Sequence, residues 1–560
     1  MPDETEPASP TLSAGPTSED IKAASRGLRG ALSVELKDGT DAFSTESCQI
    51  LKFHGIYQQD NRDVRRERTR AHEELDHIFM VRASVPGGAL TAEQWLAMDR
   101  LADEVGGGTL RLTSRGGVQF HFTRKGGLAP LIRSLDAHLI TTLAACGDVN
   151  RNVVACPAPL DDSRQKVLLD LAQRLAVRFR PRTHAYYEVW VDGEKAVTSE
   201  VPEAEPVYGP TYLPRKFKIG VAWPGDNCTD IFSHDLGLVP AIGAGGVEGF
   251  TVLVGGGLGA THARPDTFPR LADVLGWVPA DAVEELAEAV IVAFRDLGNR
   301  EDRKRARLKY VIEDIGLDAF RGEVEQRWGQ SLATAPALPA WHQHDHLGWH
   351  HQDDGRWFLG VPVASGRVAG GLRTALREVI ERFGPAGVTL KITPRQDVLI
   401  TGIDAAARSD VVAILRSHDV ALADDLTPVR RLAMACPALP TCGLALSEAE
   451  RVAPDVLDML ERELADRGLS DLDLHVRMTG CPNGCARPYT AEIGIVGRTK
   501  TGYDIHLGGA AAGDRLAPPV AKSVKLAELP TVLAPYLDRY VADRSDGESF
   551  GDFVHRVEAS

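Results

Sequence analysis

The sequence has no hydrophobic run near the ~18 apolar residues that a membrane-spanning helix needs. It also has no surplus of positive charge: 63 basic against 78 acidic residues give a net charge of −15, a poor match for nucleic-acid binding led by phosphate neutralisation. The N-terminus is rich in Pro, Ser, Thr and Glu and lacks the basic-then-apolar order of a signal peptide. These absences predict a cytoplasmic protein that binds neither membrane nor nucleic acid and acts through a defined site.

Cysteine is scarce as well, with eight in 560 residues, too few for a disulfide scaffold. Four are scattered and are interpreted as small buried apolar side chains: Cys48, Cys146, Cys156 and Cys228. The others form a pattern, Cys436-Pro-Ala-Leu-Pro-Thr-Cys442 and Cys481-Pro-Asn-Gly-Cys485. Four thiolates together select zinc or an iron–sulfur cluster, and the Cys436–Cys442 spacing is wider than in usual zinc sites. The spacing favours a cluster, with zinc and purely structural cysteines as alternatives.

The length allows three or four domains. Periodicity predicts helices over Ala92–Glu104 and Asp161–Phe179, and strands over 108–122 and Ala185–Val191. Residues Trp341–Asp354 carry five histidines whose spacing fits no usual zinc pattern, so we interpret the segment as a solvated linker: His342, His344, His346, His350 and His351.

Three fragments recur in the same order along the chain. Leu110–Phe120 (LRLTSRGGVQF) is similar to Leu390–Ile400 (LKITPRQDVLI), and VACPAP at 154–159 is similar to MACPAL at 434–439. FTVLVGGGLGA at 250–260 is similar to YDIHLGGAA at 503–511. The chain is therefore predicted to be a duplicated α/β unit, roughly 77–335 and 345–550, with a ligand cleft between its halves.

Cationic side chains cluster at predicted strand positions of the first half: Arg82, Arg111, Arg115, Arg151, Arg215, Lys216 and Lys218. Arg111 and Arg115 are placed on one strand face, and Lys216 and Lys218 on another. Such charges either extend from sheet edges into solvent or line a cavity for a polyanion, in which guanidinium groups grip carboxylates. Spacing alone leaves both interpretations open.

A glycine-rich turn, Gly255–Ala260, satisfies the dinucleotide pattern G-x-G-x-x-A. Pro265 and Pro269 interrupt the helix that should follow it. The sequence therefore predicts no nicotinamide site at this turn.

Taken together, these motifs resemble those of the siroheme and iron–sulfur sulfite and nitrite reductases, in particular the assimilatory sulfite reductase hemoproteins. The resemblance covers nearly all of the chain after residue 25. It rests on LKFHGIYQQDNRD, GDVNRNV, YLPRKFKI, VGGGLGATH, LGNREDRK, ACPALPTC and HVRMTGCPNGCARPY.

The resemblance implies an α/β (α+β) fold of two pseudo-twofold-related ferredoxin-like halves in a three-domain core, with siroheme at the junction. The expected segments are a disordered tail at 1–25, an N-terminal extension at 26–76, ferredoxin-like domains at 77–145 and 336–425, a first siroheme-binding domain at 146–335, and a domain for both cofactors at 426–560.

The resemblance also implies roles for individual residues. A 4Fe–4S cluster would be held by Cys436, Cys442, Cys481 and Cys485, with the Cys485 thiolate shared with the siroheme iron. Siroheme carries eight carboxylates, and its expected partners are Arg111, Arg115, Gln119, Arg215, Gln396 and Asn483. The expected substrate-binding set is Arg82, Arg151, Lys216 and Lys218.

The implied activity is the six-electron reduction of sulfite to hydrogen sulfide in sulfate assimilation and cysteine biosynthesis. Electrons would come from a separate partner, either an NADPH-dependent flavoprotein subunit or a ferredoxin. The alternative within the family is an assimilatory nitrite reductase, in which Asn usually stands where this chain has Lys218. The alternative outside the enzymes is a zinc- or cluster-binding regulator, which needs neither siroheme nor the cationic cavity.

Overall fold

The computed structural model describes residues 15–182, 188–191, 194–198 and 205–559. Its strands are β1 Ile56–Asp60, β2 His77–Ala83, β3 Ala89–Leu90, β4 Leu110–Leu112, β5 Val118–Thr123, β6 Val154–Ala155, β7 Glu188–Val191, β8 Glu194–Thr198, β9 Ile219–Val221, β10 Leu236–Gly243, β11 Gly246–Val254, β12 Asp273–Pro279, β13 Gly348–His351, β14 Trp357–Val361, β15 Arg367–Val368, β16 Thr389–Ile392, β17 Val398–Ile403, β18 Met434–Ala435, β19 Val476–Thr479, β20 Ile493–Gly497, β21 Tyr503–Leu507 and β22 Pro519–Val524.

The helices are α1 Ser18–Ala23, α2 Leu32–Glu35, α3 Thr45–Leu51, α4 Arg65–Arg70, α5 Ala92–Glu104, α6 Lys125–Ala137, α7 Asp162–Arg178, α8 Val283–Leu297, α9 Leu308–Ile315, α10 Leu317–Trp328, α11 Gly370–Phe383, α12 Arg408–Ser417, α13 Pro428–Leu432, α14 Ala453–Ala465, α15 Leu529–Asp543 and α16 Phe550–Glu558. Among the described helices, none is both long and apolar enough to cross a membrane.

Two five-stranded sheets contain the first repeated fragment. Their strand orders are β1-β2-β5-β4-β15 and β13-β14-β17-β16-β3. One of the two edge strands of each sheet comes from the other half of the chain: β15 pairs with β4, and β3 pairs with β16. This exchange of strands joins the halves through backbone hydrogen bonds as well as side-chain packing.

The other two large sheets carry the second and third repeated fragments. Their orders are β12-β11-β10-β9-β6 and β18-β19-β20-β21-β22. In each sheet, the strand of the second fragment (β6 or β18) lies at one edge. Counting from that edge, the first two strand pairings are parallel and the next two are antiparallel. The predicted duplication is confirmed, since the five-stranded sheets of the two halves repeat one topology; the hairpin of β7 and β8 is an addition to the first half.

Several element predictions are confirmed and one is wrong. Helix α5 spans the predicted residues, and the residue before it, Thr91, is its N-cap and forms a capping box with Gln94. Helix α7 also lies where predicted. The strand predicted over 108–122 is instead a hairpin of β4 and β5. Thr113 donates its N–H to the Gly117 carbonyl at 2.9 Å, and the turn places Gly116 at φ +66°, where glycine carries no Cβ strain.

Two interpretations of segments also need correction. The predicted disordered tail is too long, because α1 lies inside it and Lys22 of that helix is buried, donating from Nζ to the Leu213 carbonyl at 2.8 Å. The predicted solvated linker contains β13, and His346 within it is buried. Residues 1–14 of the tail and 185–187 of the strand predicted over Ala185–Val191 lie outside the described residues.

Candidate functional site

The four patterned cysteines lie at the ends of two neighbouring parallel strands. Cys436 follows β18 directly, and Cys481 and Cys485 lie in the turn after β19. Cys442 lies in the loop that follows Cys436, and all four thiols are free. The strand ends therefore bring two cysteine pairs, separated in sequence, to one edge of a sheet.

The thiols of the group act electrostatically on one another: Cys436 is affected by the other three, Cys481 by Cys485 and Cys442, and Cys442 by Cys485. Burial, reinforced by these neighbouring sulfurs, raises the pKa of Cys436 and Cys442 and raises that of Cys481 to about 12. As free thiols they would stay protonated near pH 7, whereas a metal centre of high positive charge would stabilise their thiolates.

Backbone and side-chain N–H groups are directed at these sulfurs. Gly480 N lies 3.4 Å from Cys436 Sγ, and Asn483 Nδ2 lies 3.5 Å from Cys481 Sγ. The N–H groups of Leu444 and Ala445 hydrogen-bond to Cys442. Hydrogen bonds to thiolate sulfur are a main means by which proteins hold and tune iron–sulfur clusters, so this donor set fits a 4Fe–4S cluster.

Cys485 is the exposed member of the four. Its carbonyl accepts a hydrogen bond from Ser114 Oγ at 3.0 Å, across the boundary between the halves. Its thiol also acts on the pKa of Lys218. The cysteine group therefore opens, through Cys485, toward the cationic residues of the first half.

Most of the predicted cationic residues form one electrostatic group around Lys216 and Lys218. These two lysines flank Phe217, which is buried while both of them are half-buried, so they share a face of the chain as predicted. The positive charges of Arg115, Arg151 and Arg215 lower the pKa of one or both lysines or of one another. Arg82 joins the group through its effect on Arg115.

The protonated forms of the two lysines are destabilised. Burial, together with Lys218, Arg151 and Arg307, holds the pKa of Lys216 well below its usual value. Burial and the Arg307 and Arg115 guanidinium groups lower the pKa of Lys218 to about 7. A bound anion would relieve this repulsion, and Lys218 Nζ can give up a proton near neutral pH.

Arg115 and Arg395 have buried N–H groups that no other described residue satisfies. Arg115 Nη2 donates to the Asn152 carbonyl, but its Nε has no partner. Arg395, 4% exposed, has neither an Nε nor an Nη1 partner. Buried donors of this kind are costly, so their presence fits a ligand with several carboxylates, as siroheme has.

The other residues predicted to contact siroheme are placed as follows. Arg215 lies 3.8 Å from Asp148, and Gln396 donates from Nε2 to the Leu112 carbonyl at 3.1 Å while its Oε1 has no partner among the described residues. With its amide turned toward Arg82, Gln119 Oε1 lies 2.9 Å from Arg82 Nε. Asn483 contacts Cys481, as described above.

Arg111 does not join the cationic group. It is 1% exposed and forms an ion pair with Glu450, which Arg367 also contacts, and its Nη2 donates to the Ala435 carbonyl at 3.1 Å. These contacts tie β4 to the segment that carries Cys436. The outer N–H groups of Arg111 are thus already used within the protein. Its role as a siroheme partner stays a prediction.

Sequence reasoning missed Arg395 and Arg307. The repeat could have revealed the first, because aligning LRLTSRGGVQF with LKITPRQDVLI puts Arg395 opposite Arg115. Gln396 even shares the left-handed backbone of Gly116, with φ +75°. The repeat does not point to Arg307. Its Nη2 donates to both carboxylate oxygens of buried Asp235, at 2.8 and 2.9 Å, and this contact forms only when the chain folds.

Two family models match the chain. The nitrite and sulphite reductase 4Fe-4S domain matches residues 171–332, and the nitrite/sulfite reductase ferredoxin-like half domain matches twice, at 70–138 and 350–418. The double match agrees with the duplicated sheets.

Relatives match over nearly the whole length. The sulfite reductase [NADPH] hemoprotein beta-component of Myxococcus xanthus is 45% identical over 96% of both chains. The sulfite reductase [ferredoxin] of Synechococcus elongatus is 43% identical over 96% of this chain and 89% of its own. Among solved structures, the NirA protein of Mycobacterium tuberculosis is 27% identical and aligns with a TM-score of 0.78 over 96% of both chains. By its duplicated fold, its cysteine group and these matches, the chain belongs to the nitrite and sulfite reductase family.

Proposed function

We propose that this chain reduces sulfite to hydrogen sulfide, using electrons from a separate donor protein. The observation that carries the proposal is the meeting of two groups: four converging cysteines, and a cationic site whose Lys218 is within electrostatic reach of the exposed Cys485. A zinc- or cluster-binding regulator has no use for the second group.

The residues present fit both cofactors of the family. The four cysteines would hold the 4Fe–4S cluster, with Cys485 shared with the siroheme iron. Arg115, Arg215, Gln119, Gln396 and Asn483 would contact siroheme, joined by Arg395 with its unsatisfied donors. When bound, the two groups supply the storage and transfer of electrons.

The protein's own part is to bind the anion and handle protons. Arg82, Arg151, Lys216 and Lys218 place positive charge where a small dianion is bound and where negative charge develops as S–O bonds break. Arg151 is held in position by the Gly147 carbonyl, 3.2 Å from both its Nε and its Nη2. Lys218 Nζ has a pKa of about 7 before the anion binds. It would therefore take up a proton as the anion binds, and can pass it to the oxygen that leaves as water.

The donor is proposed only as a separate redox protein. One relative's name specifies NADPH and another's specifies ferredoxin, so both names indicate a separate source of electrons. A net charge of −15 disfavours docking of an acidic ferredoxin except at a local basic patch.

The proposal is tested by assaying the holoprotein with reduced methyl viologen, which bypasses the natural donor, and measuring sulfide. We expect one sulfide for every six electrons consumed, and a higher kcat/KM for sulfite than for nitrite. A higher kcat/KM for nitrite would make the chain a nitrite reductase, and turnover of neither anion would contradict both. Replacing the viologen with reduced ferredoxin, or with NADPH and a flavoprotein, then identifies the class of donor.

A further inference from the structure

A second group of metal-binding side chains lies apart from the patterned cysteines. The ligand atoms of Cys156, Asp226, Cys228 and His346 all lie within 4.8 Å of one another. Their exposed fractions are 0%, 3%, 1% and 3%. The function proposed above uses none of these residues.

Three separate chain segments build this group. Cys156 follows β6, Asp226 and Cys228 lie in the loop after β9, and His346 lies in the segment that joins the two halves. The loop and the joining segment are also hydrogen-bonded, with Asn227 N 2.7 Å from the His342 carbonyl and His342 N 2.9 Å from the Gly225 carbonyl. The group thus lies where the joining segment is fastened to the first half.

The duplicated fold gives two of these residues a further meaning. The pairing of β6 with β9 matches that of β18 with β19, so Cys156 takes the place that Cys436 has in the second half. Cys228 lies as many residues beyond Val221 as Cys485 lies beyond Met478. Two thiols therefore occupy, in the first half, positions equivalent to two ligands of the cluster.

The equivalents of the remaining two cluster ligands are not cysteines. In the same register, Pro224 takes the place of Cys481, so the first half cannot present four thiolates in this way. Asp226 and His346 complete the set instead. One carboxylate, one imidazole and two thiolates suit a single zinc ion better than an iron–sulfur cluster.

The distances within the group fit tetrahedral coordination. His346 Nε2 lies 3.3 Å from Cys156 Sγ and 3.6 Å from Asp226 Oδ2. Cys156 Sγ and Asp226 Oδ2 are 3.9 Å apart. Bonds of about 2.0–2.3 Å to a tetrahedral zinc ion place its ligand atoms about 3.3–3.8 Å apart. Small movements of buried side chains would therefore seat the ion.

The surroundings orient the ligands and balance their charge. Cys228 N–H donates to Asp226 Oδ1 at 3.1 Å, which leaves Oδ2 facing the group. The Arg164 guanidinium contacts Asp226 Oδ2 and lies 3.8 Å from Cys156 Sγ. Two thiolates, a carboxylate and Zn²⁺ carry a net charge of −1, which the arginine neutralises.

We propose that Cys156, Asp226, Cys228 and His346 form a structural zinc site that fastens the joining segment to the first half. Four protein ligands close the site, which is the arrangement of structural rather than catalytic zinc. Binding releases the thiol protons and favours the folded state over the unfolded one.

The test is the metal content of the holoprotein, purified without chelators from zinc-replete cells. We expect about one zinc per chain in addition to iron, with a zinc-edge absorption spectrum showing about two sulfur ligands at ~2.3 Å and two nitrogen or oxygen ligands at ~2.0–2.1 Å. The zinc content and the zinc-edge spectrum are both measured on the wild-type protein and do not depend on its activity. The zinc site can therefore be contradicted while sulfite reduction is confirmed, and sulfite reduction can be contradicted while the zinc site is confirmed.

Two variants locate the ion. Cys228→Ser and His346→Gln should each lower zinc below about 0.1 per chain while iron is retained, and Cys48→Ser, at a half-buried free cysteine elsewhere, should keep both metals. Wild-type protein without zinc would overturn the proposal, as would zinc that persists in Cys228→Ser or is lost only with Cys436→Ser. A Cys156–Cys228 disulfide in the intact mass would also overturn it. If both variants fail to fold, the wild-type zinc-edge spectrum decides.

Discussion

Replacing Cys485 by serine is expected to lower sulfite reduction by on the order of 10³-fold or more, because one change removes a member of a catalytic unit. Cys485 is the exposed sulfur of the four and the one that reaches the cationic group through Lys218. A serine hydroxyl is a poor ligand for the soft iron centres that thiolates select. The visible spectrum should therefore change in both its iron–sulfur and its haem bands.

The matched control is Cys48→Ser, which removes a free thiol whose sulfur lies 3.7 Å from the Phe43 carbonyl, outside both metal-binding groups. It should leave the spectrum and the rate unchanged. An unaltered haem spectrum in Cys485→Ser would contradict the shared sulfur, even if the iron–sulfur bands were lost.

Replacing Lys218 by asparagine is expected to lower kcat/KM for sulfite by about 10²-fold, the usual effect of removing one preorganised charged group. Nitrite should lose less than about tenfold, because a monoanion gains less from each cation than a dianion does. The measurement is the ratio of kcat/KM for the two anions, assayed side by side with the same artificial donor.

Lys522→Asn, at an exposed lysine of β22, makes the same chemical change away from the site and should alter neither value. Lys218→Arg keeps the charge at every assay pH and should retain more sulfite activity than the asparagine variant. If Lys218→Asn lowered both substrates equally, Lys218 would not be the residue that separates sulfite from nitrite.

The duplicated fold could be predicted because its signals are local. Each of the three repeated fragments is a short continuous segment of at most one hairpin, so their order along the chain already indicated two equivalent halves. The exchange of β3 and β15 between sheets could not be predicted, because these are two-residue strands whose partners lie far away in the sequence. The hairpin at 113–117 was missed because the apolar residues before the turn, Leu110 and Leu112, and those after it, Val118 and Phe120, all fall on even-numbered positions, as they would in one continuous strand.

The grouping of the four patterned cysteines could be predicted from spacing, since both pairs lie in short segments with turn-forming residues between them. The second metal-binding group could not, because Cys156, Cys228 and His346 meet only in the folded chain. Cys156 and Cys228 were interpreted as apolar core, and His346 as part of a linker, on the evidence of their immediate neighbours. Arg395 could have been predicted from the repeat, which aligns it with Arg115, although its residue type alone did not single it out.

The account rests centrally on siroheme at the junction, bound next to an open anion site, and one absorption spectrum tests it. The protein is produced in cells with an intact siroheme supply, and its spectrum is recorded before and after sulfite is added. We expect the bands of a reduced porphyrin, shifted by sulfite. A broad iron–sulfur shoulder alone, or a colourless protein that retains zinc at the four patterned cysteines, would contradict the account and favour a regulator.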